Sequence, residues 1–491
     1  MKPGDNGTNT HEARSCGAKR NAVAAACLAR LSRCCALAIA LSSLVALPSA
    51  ARAETLAEAL ASAYATNPTL LAERARLRSI DEDAAQARSE WRPTVTINTT
   101  YTQTQGRRNL ARFLGSSQSA LIKEHGETYS STLSATQPLY RGGQLVAGVK
   151  SSDARVRAGR ANLTATEQSV LLAATTAYFD VIRDLATVEL TLNNVAVLNR
   201  QLQASQDRFR VGEITRTDVA QSQARLSRSQ SDLARARATL AESQARYEEI
   251  IGHPPQGELQ KSPGLPTLPS TLEQAQAKAM ENNPTVEAAE ESETAAMHDV
   301  RQSKGALLPS LEVVASIDRS EDLDLVNSNT TNRSAQVRMN LPLYQGGSEY
   351  ARVRQAKHVR SQRRLQVAES QRDIRQQTAT AWNNLLAARA AIESDQEQVR
   401  ANPVALEGGQ QEAQVGSRTV LDVLDAEQEL LDSQVALVRS QRDEYVAAFQ
   451  LLSAIGGLTA QSLNLDTQVY DPSEHYRRVR WKVIGFGTEN E

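Results

Sequence analysis

Apolar and polar residues alternate along four short stretches of the chain and recur every seventh residue along others, so two periods divide it. From Thr94, the apolar Val95, Ile97 and Tyr101 alternate with Thr96, Asn98, Thr100 and Thr102; a second run places Tyr129, Leu133, Ala135 and Leu139 on one parity. Leu311, Val313, Ala315 and Ile317 form a third run, and Ala335, Val337, Met339, Leu341 and Leu343 a fourth, backed by Gln336, Arg338 and Asn340. Alternation marks strands with one apolar face. Each run is about ten residues, the length of a tilted strand crossing a bilayer. Trp91, Tyr140 and Tyr344 stand at the strand ends, where interfacial aromatics anchor such strands. The polar residues 106–127 and 319–331 read as loops. Soluble hairpins packed on a helical domain fit the same alternation. Four strands are too few for a membrane barrel, so the membrane reading requires several copies of the chain.

Beyond Gly142 and Gly143 no proline occurs until Pro254, and Val211-Gly212 is the one evident break. A helix over residues 144–208 would run about 97 Å at 1.5 Å per residue. The returning helix, residues 217–250, carries a heptad seam at Val219, Leu226, Leu233, Leu240 and Tyr247, and Leu424, Leu431, Val438, Tyr445 and Leu452 repeat that period later. Such seams pack helices side by side. Shorter helices are expected at residues 55–66 and 70–90, and again at 271–282 and 286–304, each pair meeting at an Asn-Pro corner.

The chain is internally duplicated. Asn67-Pro68 and Pro93 recur as Asn283-Pro284 and Pro309 at an offset of 216, whereas Pro138-Leu139-Tyr140-Arg141-Gly142-Gly143 recurs as Pro342-Leu343-Tyr344-Gln345-Gly346-Gly347 at an offset of 204. The smaller offset also carries Tyr178 onto Trp382, Val211-Gly212 onto Val415-Gly416, Asp218 onto Asp422 and Ile251-Gly252 onto Ile455-Gly456. The length difference therefore falls in the first strand-to-strand loop. The expected organisation is a first repeat at 54–251, with β-hairpin 94–139 and helical hairpin 144–251. A linker follows at 252–269, then a second repeat at 270–456, with β-hairpin 310–343 and helical hairpin 348–456, and a tail at 457–491.

Residues 1–53 read as a cleaved export signal: Arg14, Lys19, Arg20, Arg30 and Arg33, an apolar run from Cys34 to Leu47, then Ala51-Arg52-Ala53. All four cysteines (Cys16, Cys27, Cys34, Cys35) lie within it, leaving the remainder without disulfide or thiolate chemistry. The signal holds seven Lys/Arg and two Asp/Glu, so the net charge of −1 becomes −6 from residue 54 onward, which argues against a nucleic-acid partner. The six histidines are scattered, with no zinc-protease, nucleophile-elbow or phosphate-loop motif, so neither catalytic residues, a metal site nor a cofactor is expected.

Signal, duplication, strand pairs, Pro-Leu-Tyr-x-Gly-Gly turns and Val-Gly tips together resemble the TolC-type outer-membrane efflux and type I secretion channel family, across residues 54–456. Residues 415–425, Val-Gly-Ser-Arg-Thr-Val-Leu-Asp-Val-Leu-Asp, carry the most recognisable stretch. The resemblance implies a mainly α, α+β fold in which four strands per chain give a trimeric twelve-stranded β-barrel, continued by an α-helical barrel. It implies a homotrimer in the outer membrane of a Gram-negative bacterium, in contact with outer-membrane lipid, its helical part in the periplasm. A periplasmic adaptor and an inner-membrane pump or ABC exporter would feed it, as the exit duct of an efflux or secretion system.

By the same resemblance Val211, Gly212, Val415 and Gly416 are adaptor-docking tips, and Pro138, Tyr140, Gly142, Gly143, Pro342, Tyr344, Gly346 and Gly347 form the barrel–tunnel junction. Asp422 and Asp425 would ring a closed periplasmic entrance, latched by Arg418 to a neighbouring hairpin near Thr217 and Asp218. Three residues apart on a helix, the two carboxylates share a face, and three-fold symmetry would gather six; a solvated acidic face near a helix N-terminus is the alternative. Asp425 has no carboxylate counterpart in the first half, where Gln221 stands, so the gate is expected in the second. Ala413 replaces a family tyrosine latch, and Pro403, Gly408 and Gly409 predict a kink or break in the second long helix. A periplasmic adaptor or a structural coiled coil are the rival readings; neither accounts for two strand pairs. The basic cluster Arg477, Arg478, Arg480 and Lys482 around Trp481 would pack outside the tunnel or hang free.

Overall fold

A computed structural model describes residues 53–110, 120–322 and 328–488; all but the last residue of the export signal expected at 1–53, the loop centres at 111–119 and 323–327, and residues 489–491 lie outside them. Helix α1 (Leu56–Thr66) starts at a capping box in which Thr55 and Glu58 satisfy each other's backbone N–H. Proline at the first position opens α2 (Pro68–Ser89), and the corner between them is held by Asn67. Its Oδ1 accepts from Thr69 N at 3.0 Å and its Nδ2 donates to Ile250 O at 2.9 Å.

Strands β1 (Thr94–Leu110) and β2 (Ala120–Arg141) lead into α3 (Gln144–Arg210), which turns back as α4 (Arg216–Ile251). The second half repeats this with α5 (Leu272–Asn282), α6 (Pro284–Gly305), β3 (Ser310–Asp322), β4 (Ser328–Asn340), α7 (Ser348–Gln414) and α8 (Val420–Ala454). Asn283 repeats the corner bond for bond, accepting from Thr285 N and donating to Ala454 O, each at 2.9 Å. The Asn-Pro motif thus caps one helix and closes the last turn of the long returning helix in its own half. A short α9 (Glu474–Val479) ends the helical part.

The four strands form one antiparallel sheet in the order β1-β2-β3-β4, with β1 and β4 at open edges. Thr94 pairs with Thr136 and Ser310 with Asn340, so the two hairpins have the same register under the offsets of 216 and 204. One face presents Val95, Ile97 and Tyr101 beside Ala135, Leu133 and Tyr129, then Ala315 and Ile317, then Ala335 and Val337. The opposite face is mostly Thr, Ser, Asn and Gln, with Val314, Asp318 and the Glu312–Arg338 ion pair among them, as expected of a sheet with lipid on one side and water on the other.

Three details differ from the sequence reading. The strands are 17, 22, 13 and 13 residues rather than about ten, because backbone pairing continues through polar positions on both faces. The loop read at 106–127 therefore shrinks to its undescribed centre, as does that at 319–331. Leu341 and Leu343 lie beyond β4, since β3 begins opposite Asn340 and no strand of this chain remains to pair with them. Leu139 is the extra residue of a bulge, where the partners of Pro138 and Tyr140 are the consecutive Glu312 and Leu311.

Both long helices have 67 residues, about 100 Å at 1.5 Å per residue. Of the kink or break expected at Pro403, the break is absent: α7 runs through Pro403, Gly408 and Gly409. The ring removes only the bond to the Val399 carbonyl, and packing against α8 holds the helix on either side. Asn402 Nδ2 donates to Glu429 O at 3.1 Å, and Leu406 is buried with Val423.

The main core lies where α1, α3, α4, α5, α7 and α8 meet, around the fully buried Tyr178, Tyr247, Phe179, Leu171 and Leu451. Its polar tips are satisfied: Tyr178 Oη donates to Glu54 O at 2.9 Å, and Tyr247 Oη to Glu54 Oε1 at 2.7 Å. Phe179 stacks on Tyr445 with ring centroids 4.4 Å apart, joining the two helical hairpins.

Candidate functional site

The two helical hairpins end in turns of the same construction. At the first, Gly212 takes φ 78°, Gly212 N donates to Phe209 O at 3.0 Å and Glu213 N to Arg208 O at 3.0 Å. At the second, Gly416 takes φ 81° and Ser417 N donates to Glu412 O at 3.0 Å. These bonds terminate each long helix, and the left-handed backbone is why both tips carry glycine. Val211 and Val415 stand outermost, 79% and 81% exposed, as the pair of tips singled out by sequence.

Each return helix then opens on a capping box. Asp218 Oδ2 accepts from Thr215 N at 2.8 Å and Thr215 Oγ1 at 2.7 Å, while Asp422 Oδ2 accepts from Thr419 N at 3.0 Å and Thr419 Oγ1 at 2.8 Å. These bonds, with the Arg418 charge, hold the Asp422 carboxyl below its ordinary range. Asp422 and Asp218 thus have a local role that the spacing argument for a carboxylate ring did not include. Arg418 Nε lies 2.6 Å from Glu412 Oε2 of its own hairpin.

Asp425, one turn on from Asp422, forms an ion pair with Arg225 of α4. Beside that pair Val420 and Leu424 of α8 are buried against Leu198, Leu202 and Leu226. An apolar seat and a flanking ion pair therefore join the second hairpin to the first near their tips. Further along, Arg442 Nε donates to Asp180 Oδ1 at 2.9 Å and repeats the connection. Arg225 escaped the sequence reading; it precedes the seam residue Leu226 as Asp425 follows Leu424, the flanking placement where charges set pairing between helices.

The Pro-Leu-Tyr-x-Gly-Gly turns join strand to long helix, with Gly142, Gly143, Gly346 and Gly347 all at positive φ. Their surroundings differ. A Cβ on Gly142 would lie 2.1 Å from the Gly305 carbonyl oxygen at the end of α6, whereas its counterpart Gly346 has nothing within 4 Å; the second glycines, Gly143 and Gly347, are both open. Tyr140 is 46% exposed and its counterpart Tyr344 80%. Pro138 pairs with Glu312, while Pro342 lies beyond the sheet. The first-half junction is packed and the second-half junction is bare.

Among the described residues no group of three or more His, Cys, Asp or Glu is placed to hold a metal ion. No described helix is long and apolar enough to cross a membrane.

The family model for outer membrane efflux proteins matches residues 59–253 and 276–457, one match per repeat. The chain is 36% identical to the outer membrane efflux protein BepC of Brucella suis biovar 1 over 456 residues, covering 92% of this chain and 96% of that protein. It is 27% identical to the outer membrane protein TolC of Vibrio cholerae, covering 85% and 94%. The solved structure of the outer membrane protein VceC from Vibrio cholerae superposes with a TM-score of 0.69 at 21% identity, over 82% of this chain and 96% of that one. Sequence, sheet, long helical hairpins and repeat all agree: the chain belongs to the outer membrane efflux protein family.

Proposed function

We propose that three copies of this chain close a twelve-stranded barrel in the outer membrane and continue it as a helical duct, through which an efflux pump or type I secretion system exports its cargo. Members of this family are channels, and we read this chain likewise as a conduit without catalysis. The copy number rests on the resemblance to the family. The observation that carries closure is the pair of open edges in a sheet whose two hairpins share one register. In lipid every strand edge must be paired, so β4 of one copy must meet β1 of the next.

The repeat supplies the register of that junction. Ser134 of β2 pairs with Ser316 of β3; transposed by the two offsets, Arg338 pairs with Thr100 of the next copy and Tyr344 with Val95. This pairing would extend β4 through Leu341 and Leu343 and cover the bare second-half junction. The flank of α7 agrees: Tyr350 and Leu365 are exposed, whereas the first part of α3 buries Val156, Ala158, Ala161 and Leu163 where α2 and α6 pack on it.

The gate we propose is built in each copy from the Arg225–Asp425 ion pair and the seat of Val420 and Leu424, with Asp422 shaping the tip. Arg418 would reach Thr217 and Asp218 of the next copy. Val211, Gly212, Val415 and Gly416 would receive a periplasmic adaptor. Purified protein reconstituted in a planar bilayer tests the reading: discrete single-channel steps from a trimer are expected, and a monomer confined to the soluble periplasm would refute it.

A further inference from the structure

The C-terminal tail lies outside the duplication, and the structure places it at one particular level of the molecule. Tyr476 of α9 fixes it there. Its hydroxyl accepts from Arg88 Nη2 at 2.8 Å and donates to Asp153 Oδ1 at 2.9 Å, and its ring is flanked by Arg88, Arg160 and Arg480 at 5.2–5.9 Å. Val479 is buried beneath the helix. Arg88 is in the last turn of α2, the helix that leads into β1.

The chain then runs on toward the sheet. Arg92 Nη1 donates to Lys482 O at 2.8 Å, two residues before β1 begins at Thr94. Gln137 of β2 donates to Trp91 O at 2.9 Å, so Trp91 and the tail share the level at which strands give way to helices. From Trp481 onward Val483, Ile484 and Phe486 are exposed, the last at 100%. Four large apolar side chains in six positions thus stay largely uncovered by the described residues, from 66% exposed at Trp481 and 88% at Ile484 to the full exposure of Phe486. Residues 471–488 hold four Arg/Lys against two Asp/Glu, and Arg480 lies 5.9 Å from the Trp481 ring.

Exposed apolar residues in such density mark a contact surface. Aromatic and aliphatic residues mixed with Lys and Arg suit the headgroup zone of a bilayer, where rings reach the acyl boundary and cations meet anionic lipid. Along β2, Tyr129 to Tyr140 spans about 37 Å, or about 28 Å of depth at a tilt of about 40°, which puts Tyr140 and Trp91 at one edge of the apolar band. We infer that residues 481–486 are an interfacial anchor that inserts into the phospholipid leaflet on the helical side of the outer membrane, using Trp481, Ile484 and Phe486 as wedges and Lys482 as headgroup ligand. The inference rests on the barrel reading above. Its consequence is a collar fixing the depth of the barrel at the point where strands become helices.

Tryptophan fluorescence separates the two ideas. The chain has three tryptophans, Trp91, Trp382 and Trp481. Full-length protein carrying Trp91→Phe and Trp382→Phe, reconstituted in bilayers of phosphatidylcholine and phosphatidylglycerol, reports on Trp481 alone; Trp382→Phe with Trp481→Phe reports on the barrel edge. Brominated phosphatidylcholine should quench both proteins, Trp481 emission should be blue-shifted, and Lys482→Glu should reduce its quenching. Quenching of Trp91 with water-like, acrylamide-accessible Trp481 overturns the anchor and leaves the barrel intact. Trp481 shielded from both quenchers means that a neighbouring copy covers it, which also overturns the anchor. Quenching of neither tryptophan refutes barrel and anchor together. If the double variants fail to assemble, the difference in bromolipid quenching between the native chain and Trp481→Phe gives the same reading.

Discussion

Arg225 and Asp425, 200 residues apart in sequence, form an ion pair between α4 of the first helical hairpin and α8 of the second. Both side chains are partly exposed, and such pairs contribute about 0–1 kcal/mol to stability. Arg225→Ala should leave global unfolding within about 1 kcal/mol of the parent and still raise single-channel conductance, because the pair bears on how the hairpins separate. Unchanged conductance would remove the pair from the gate.

Leu424 is the apolar half of the same contact and is 1% exposed. Truncating a buried leucine costs about 2–5 kcal/mol. Leu424→Ala should therefore open the channel further than Arg225→Ala and increase protease cleavage near the tips. A smaller conductance change than that of Arg225→Ala would place the hold in charge rather than packing.

Asp81 of α2 is fully buried, and neither of its carboxylate oxygens has a hydrogen-bond partner. Burial, offset in part by the Arg160 charge, pushes its carboxyl up to about 6. A folded-state value above the unfolded one gives stability that is complete below about pH 4 and is lost as pH rises through about 6. Asp81→Asn should raise stability at pH 7.5 by up to about 3 kcal/mol and leave it unchanged near pH 4. Thermal unfolding at the two pH values measures the difference; an equal effect at both would contradict the assignment to ionisation.

Pro403 leaves the Val399 carbonyl unpaired within a continuous α7. Pro403→Ala restores that bond and should raise stability by about 1–3 kcal/mol, with hydrogen exchange slowing at residues 399–407. Faster exchange there would show that the proline is needed for the path of the helix.

The helices of the first repeat and the short pair of the second were legible because their signals are local: capping residues, Asn-Pro corners and the heptad seam place the ends of those six within two residues, whereas α9 has no such signal. The strands were undersized because the apolar alternation stops after Tyr101, and there backbone pairing sets the length. Proline at 403 read as a breaker because its tertiary supports, Asn402 on Glu429 and Leu406 on Val423, belong to another helix. The gate was legible in part. Asp425 stood out by charge, but its partner Arg225 belongs to the other repeat, and Asp422 resembles any exposed acid until Thr419 is seen to use it as a cap. The docking of the tail depends on Tyr476, one ring in a polar segment with no periodicity to announce it.

The most direct test of the account is the register between neighbouring copies. With Arg338→Cys and Thr100→Cys in one chain, mild oxidation should yield a covalent trimer on denaturing gels, restored to monomer by reductant; Arg338→Cys with Asn98→Cys, two residues out of register on the same face, should not. The four native cysteines all precede residue 36 and lie far from either position in sequence. Failure of the first pair to cross-link, or preferential cross-linking of the second, would contradict closure of the sheet by β4 on the β1 of the next copy.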